Sequence, residues 1–175
     1  KVDENTTKLS ASLYLGNSDI PLQDYATLAL KLNHPLAFQL RSKLAFVHHI
    51  REASLPGNNP QTGMAAVYED GYAKAQIRTF GSFHAVIDTA APTIILPKNT
   101  NFSSTKSLSF TVTEKTTSVA NVRPELDGKW LRFVRRGNTY TYTFDEKCPS
   151  GKHTLVVKAY DENNNEAIKT FEFTR

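Results

Sequence analysis

The chain has 175 residues, 39% of them hydrophobic and 22% charged, with a formal net charge of +4 and a single cysteine. That length holds one large core or two small ones, and domains of roughly 100 residues favour two. The lone Cys148 excludes an internal disulfide framework and any multi-cysteine metal site. No apolar run nears the ~20 residues needed to cross a bilayer, and the mild charge gives no reason to expect nucleic acid as a partner. The sequence is therefore read as that of a protein with neither membrane insertion nor nucleic-acid binding.

The chain opens "KVDENTTKLS", with neither an initiator Met nor the basic-then-apolar pattern of a signal peptide, so it reads as a piece of a longer protein. In "ATLALKLN" the residues Leu28, Leu30 and Leu32 share one face of a strand, and "KLAFVHHI", "MAAVYEDG", "YAKAQIRTF" and "FHAVID" read as further strands. Asp70-Gly71 marks a hairpin, and "LPGNNPQTG" reads as a loop because proline and glycine deny it a regular ladder. In "PLAFQLRSKLAF", Leu36, Phe38, Leu40, Leu44 and Phe46 fit a strand about as well as a helix, which leaves an all-β module with one short helical turn.

The stretch "FGSFHAVIDTAAPTIILP", residues 80–97, changes character in its middle. An alternating strand ends, Asp-Thr-Ala-Ala-Pro interrupts it, and a short apolar run resumes. Proline fixes φ and constrains the residue before it, which suits a stiff joint. Residues 1–88 are accordingly read as a first β-sandwich module, 89–92 as a linker and 93–175 as a second module, with Asp88, Thr89 and Pro92 forming the joint.

Beyond residue 106 the period is two. Leu108, Phe110 and Val112 share a face, as do Tyr140, Tyr142 and Phe144, and "HTLVVKAYD" and "EAIKTFEFT" continue the pattern. Asp127-Gly128, Arg136-Gly137-Asn138, Pro149-Ser150-Gly151 and Asn163-Asn164-Asn165 supply turns. About seven short strands with a turn every 8 to 12 residues is the pattern of an immunoglobulin-like or fibronectin III-like sandwich. The fold class is all-β, two tandem β-sandwich modules.

The search for chemistry yields candidates and reasons against each. His84 and Asp88 match half of a zinc peptidase motif, but residues four apart on a strand are displaced by roughly 13 Å, and the complementary His-x-His pair is absent. Ser82 and His84 lack the strained Gly-x-Ser-x-Gly elbow that exposes a nucleophile. Cys148 carries no signature of a catalytic thiol, and the glycines are scattered singly rather than gathered into a phosphate-binding loop. Asp88, and Asp161 with Glu162 and Asn163 to Asn165, offer the oxygens that calcium takes, without the EF-hand spacing; an Asp before a turn commonly accepts backbone N–H bonds by itself. The sequence therefore assigns no catalytic residue, metal ligand or cofactor.

Trp130 follows the Asp127-Gly128-Lys129 turn, and with Arg132, Arg135 and Arg136 it is a candidate ligand contact. A flat ring matches the apolar face of a pyranose, although a tryptophan in such a fold more commonly packs on the sandwich. The arginines, in turn, more often line a solvated strand face than a binding patch.

"YEDGYAKAQIRTFGSFHAVIDTAAPTI", "LDGKWLRF" and "YDENNNEAIKTFEF" together resemble the C-terminal accessory region of exported lysostaphin-like zinc endopeptidases of Gram-negative anaerobes. Shared features are the aromatic-Gly-x-aromatic strand end at Phe80 to Phe83, the Asp88-Thr89-x-x-Pro92-x-Ile94 linker and the Leu126 to Trp130 hairpin. The family's late Asp-x-x-Gly-Asn turn appears as Asp161 to Asn165, with Asn164 in the glycine position. The resemblance implies a non-catalytic spacer that positions an absent N-terminal domain holding the zinc. It also implies export to the periplasm, outer-membrane surface or exterior, with peptidoglycan, an envelope glycan or the parent's catalytic domain as partner. An alternative reading is a glycan- or cell-wall-binding module of a surface protein.

Overall fold

The computed structural model describes residues 8–18, 20–50 and 61–175. It is all-β apart from one 3-10 helix, and it divides into two compact units. Unit 1 comprises residues 1–90 together with Lys115–Ser118; unit 2 comprises Ala91–Glu114 and Val119–Arg175. No helix among the described residues is long and apolar enough to cross a membrane.

Unit 1 contains β1 (Leu13–Leu15), β2 (Pro21–Lys31), β3 (Leu44–His49), β4 (Gln61–Ala65), β5 (Val67–Glu69), β6 (Tyr72–Thr79) and β7 (Gly81–Ile87). They form two antiparallel sheets, β1-β7-β3-β4 and β2-β6-β5. Alternation does what the sequence expects of it: Leu28, Leu30 and Leu32 on one side and Phe46, Phe83 and Ala85 on the other join one buried cluster. The first sheet is buried on its second face as well, where Ala45, Val47 and Val86 form a smaller cluster. This explains why "LAFVHH" reads as a nearly continuous run rather than as an alternating one. Asp70 and Gly71 have φ of 49° and 82°, the pair of positive angles that a tight hairpin between right-twisted strands requires.

Three expectations for this unit are refined. The helix-or-strand stretch resolves into the 3-10 helix Phe38–Lys43 followed directly by β3, and Phe38 is 79% exposed, with the Arg41 guanidinium over its ring and over that of Tyr68. "MAAVYEDG" is two strands, broken at Ala66. Residues 55–60 of the expected loop lie outside the described residues, but Gln61 to Gly63 belong to β4 and pair with β3. Gly63 is needed there for space: a Cβ on it would stand 1.5 Å from the Thr116 carbonyl oxygen.

Unit 2 contains β8 (Thr93–Ile95), β9 (Ser107–Thr113), β10 (Val119–Leu126), β11 (Lys129–Trp130), β12 (Val134–Arg136), β13 (Thr139–Thr143), β14 (Lys152–Asp161) and β15 (Glu166–Thr174). Two sheets, β12-β13-β9-β8 and β11-β10-β14-β15, reproduce the immunoglobulin-like arrangement in which strands A, B, E and D face C, F and G. Leu108, Phe110, Tyr140 and Tyr142 of the first sheet meet Leu155, Val157, Phe171 and Phe173 of the second in one core. Cys148 is fully buried in that core and packs as a small hydrophobe. Asn164 takes φ of 56°, so asparagine fills the glycine position of the last hairpin turn at little cost.

Candidate functional site

His84 lies on β7 opposite Val47 of β3. Its ring stacks on His49, centroids 5.3 Å apart, and its Nδ1 is buried without a hydrogen-bond partner. Burial, reinforced by the charge of Lys8 and by His49, pushes its pKa down to about 4, so the ring is neutral at ordinary pH. Asp88 stands one residue beyond β7 and is hydrogen-bonded within unit 1. Its Oδ1 accepts the Ala90 N–H at 3.2 Å, and its Oδ2 accepts the Thr117 hydroxyl at 3.0 Å. The His-x-x-x-Asp match thus falls on strand geometry that separates its two members. Among the described residues nothing accepts from or donates to His84 Nδ1, so the carboxylate that would orient the imidazole of a nucleophilic pair with Ser82 is not in place there.

Gly81 explains the aromatic-Gly-x-aromatic strand end. Its φ is +141°, and a Cβ there would approach His48 Nε2 to 2.5 Å and the His49 carbonyl to 2.7 Å. The bare glycine lets His48 Nε2 donate to the Phe80 carbonyl at 2.8 Å while the His48 ring stacks flat on Phe83 at 4.2 Å. Burial lowers the His48 pKa against that hydrogen bond, and burial with Lys8 and His48 lowers that of His49. The three histidines therefore pack as neutral aromatic rings.

In unit 2 the pairing between His153 and Asp127 is not legible in the sequence, because the partners stand 26 residues apart. His153 Nδ1 contacts Asp127 Oδ2 at 2.7 Å and Nε2 contacts the Pro149 carbonyl at 2.7 Å. Both partners are acceptors, so both ring nitrogens donate and the ring is an imidazolium. Burial alone pulls its pKa down, but the two hydrogen bonds and the Asp127 charge prevail and raise it. A histidine with neither lone pair free cannot act as a general base. Cys148 offers no nucleophile, since burial pushes its thiol up, away from the thiolate. The Asp161 carboxylate accepts the Asn163 and Asn165 N–H groups at 2.9 and 2.8 Å and the Asn165 amide at 2.7 Å, which braces the turn.

The four candidate contact residues are dispersed. Trp130 on β11 pairs with Glu125 of β10, on the outward face of the β11-β10-β14-β15 sheet, and is 58% exposed, contrary to the commoner packed placement. A two-residue edge strand at a hairpin end has no second layer to cover its ring. Arg135 and Arg136 lie on β12 of the other sheet; Arg135 sits over the Tyr140 ring and donates to the Gly137 carbonyl, and Arg132 lies in the segment joining β11 to β12. Arg123 and Lys158, which do share the Trp130 face and both bind Glu125 (2.7 and 3.4 Å), were not singled out by sequence. Of the joint residues, Asp88 and Thr89 belong to unit 1 and Pro92 to unit 2.

No curated protein matches the chain. Among solved structures, it is similar to the fibronectin(III)-like modules of Clostridium thermocellum CbhA, at 18% identity over 85% of this chain and 84% of that one, with a TM-score of 0.38. It is also similar to apo expansin of Clavibacter michiganensis, at 12% identity over 75% and 68% of the two chains, with a TM-score of 0.33. Residues 1–88, half of the chain, match the Zu5-like domain. The chain therefore belongs to the Zu5-like domain family.

Proposed function

We propose that this chain is a non-catalytic accessory region of an exported bacterial cell-wall metallopeptidase, a pair of β modules that holds a zinc-bearing catalytic domain at working distance from peptidoglycan. The observation that carries this reading is that His84, His153, Cys148, Asp88 and Asp161 serve packing and turns rather than one reactive constellation. His84 is a buried neutral ring, His153 donates from both nitrogens, Cys148 is core, and Asp88 and Asp161 brace turns. Two hydrophobic cores, one in each unit, suit a spacer, whose work is to keep its shape. The parent's identity is tested by the reading frame upstream of Lys1. His-x-x-x-Asp and His-x-His motifs in a preceding domain are expected, and a frame without them removes the peptidase from the proposal.

A second reading, a module that itself grips wall glycan, is favoured by one observation: Trp130 stands exposed on an outward sheet face instead of packing. An exposed indole among hydrogen-bonding side chains is the usual equipment for holding a sugar ring. Retention of the purified chain on peptidoglycan sacculi tests this reading; free passage would end it.

A further inference from the structure

The outward face of the β11-β10-β14-β15 sheet has an order that the register makes explicit. One row crosses all four strands as Trp130, Glu125, Val156 and Thr170, at about 4.8 Å per strand. The next row holds Arg123, Lys158 and Ile168. Arg123 and Lys158 both bind Glu125, directly beside the indole. Two residues along β14 and β15 in the other direction, the face dips into a shallow concavity of about 510 Å³ lined by Thr100, Lys152, Thr154, Glu172 and Thr174 among others.

The chemistry of this face selects its partner. A protein interface is depleted of charge at its centre, whereas here an ion-paired trio stands beside the aromatic residue. A peptide adding as a strand takes its main-chain hydrogen bonds along a sheet edge; β11, the edge that carries Trp130, has two residues, and the longer edge strand, β15, lies at the far side of the sheet from the indole and the ion-paired trio. A polyanion needs an excess of cations, but on this face Arg123, Lys152 and Lys158 are balanced by Glu125, Glu166 and Glu172. What remains is a neutral, hydroxyl-rich chain with flat apolar ring faces. We propose that this face binds an uncharged polysaccharide, with the Trp130 indole stacked on one sugar ring, Arg123, Glu125 and Lys158 hydrogen-bonding its substituents, and the threonine-lined concavity receiving a neighbouring unit. This deepens the second reading above and rests on it.

The test is calorimetric titration of the whole chain with a soluble β-1,4-linked N-acetylglucosamine hexamer, with heparin as the polyanion arm and sacculi sedimentation alongside. Hexamer binding is expected to weaken about tenfold or more in Trp130→Ala and severalfold in Arg123→Ala, to persist in Trp130→Phe and to be unchanged in Arg136→Ala, which lies on the other sheet. Hexamer binding indifferent to Trp130→Ala, or binding of heparin without hexamer, would overturn the proposal. Retention on sacculi that ignores Trp130→Ala would also overturn it while leaving wall binding intact, whereas no retention on sacculi would remove the wall-binding reading itself. Because Trp130 is exposed, an unchanged thermal transition in its variants separates lost binding from lost folding.

Discussion

His84 in unit 1 and His153 in unit 2 are buried to nearly the same degree, at 6% and 8% exposure, and yet they titrate in opposite directions. His84 has an orphaned Nδ1, a like-charged neighbour in Lys8 and, among the described residues, no acidic group that raises its pKa. His153 has a carboxylate on one nitrogen and a carbonyl on the other. Burial disfavours the imidazolium in both, and what decides the outcome is whether the fold supplies acceptors. The two units are thus expected to respond to pH with opposite sign, and to hold their histidines as packing and clamping elements rather than as reactive ones.

The largest expected effect strikes the packing around the unit 1 histidines. Gly81→Val places a branched side chain at a φ of +141° against His48 and the His49 backbone, and should destabilise unit 1 by about 3 kcal/mol or more. Gly128→Ala, at a φ of 77° in open space in unit 2, should cost only about 1 kcal/mol. Amide hydrogen exchange of β3 and β7 against that of β10 and β14 reads the two separately. Equal losses in both units would break the comparison.

Acidification comes next. The folded pKa of His84 is depressed from 6.5 to about 4, so its stabilising contribution is complete above pH 6.5. Below that the unfolded chain takes up the proton first, and by pH 4 the loss is on the order of 2 to 3 kcal/mol. His48 and His49, also depressed, act in the same direction. Exchange protection in β3 and β7 should fall through this window and fall less in His84→Phe; protection flat from pH 7 to pH 4 would contradict the assignment.

His153 has the reverse sign. Its folded pKa is raised, so its contribution is complete below pH 6.5 and is lost as pH climbs through the folded value. Asp127→Asn keeps an acceptor for the Thr154 N–H and tolerates the φ of 49°, but removes the charge facing the imidazolium. It should cost unit 2 about 1 to 2 kcal/mol at pH 5.5 and less once the pH has passed the folded pKa of His153. A cost independent of pH would mean that the ring is neutral. The smallest effect belongs to Trp130→Ala, expected to stay within about 0.5 kcal/mol of the parent because an exposed side chain removes little packing.

What the sequence discloses and what it withholds follow one division. Features set by neighbours in the chain were legible: the Asp70-Gly71 and Asp127-Gly128 hairpins, the Leu28-Leu30-Leu32 and Leu108-Phe110-Val112 faces, and the glycine-like turn at Asn164. Features set by distant chain were not. Nothing local to Gly63 announces that the Thr116 carbonyl will lie against it, and nothing in "LPGNNPQTG" shows that its last residues pair with β3. His153 and Asp127 meet only through the register of β14 with β10. The arginine cluster around Trp130 looked like one patch because its members are close in sequence; the chain crosses between sheets at Leu131 to Phe133, so Arg123 and Lys158 replace Arg135 and Arg136 as its neighbours.

The central claim, that these modules position chemistry without performing it, is tested most directly by incubating the purified chain with peptidoglycan sacculi in the presence of zinc and analysing the soluble products. The expected result is no release of muropeptides or stem peptides above a boiled control. Release that depends on His84 or Asp88 would contradict the account.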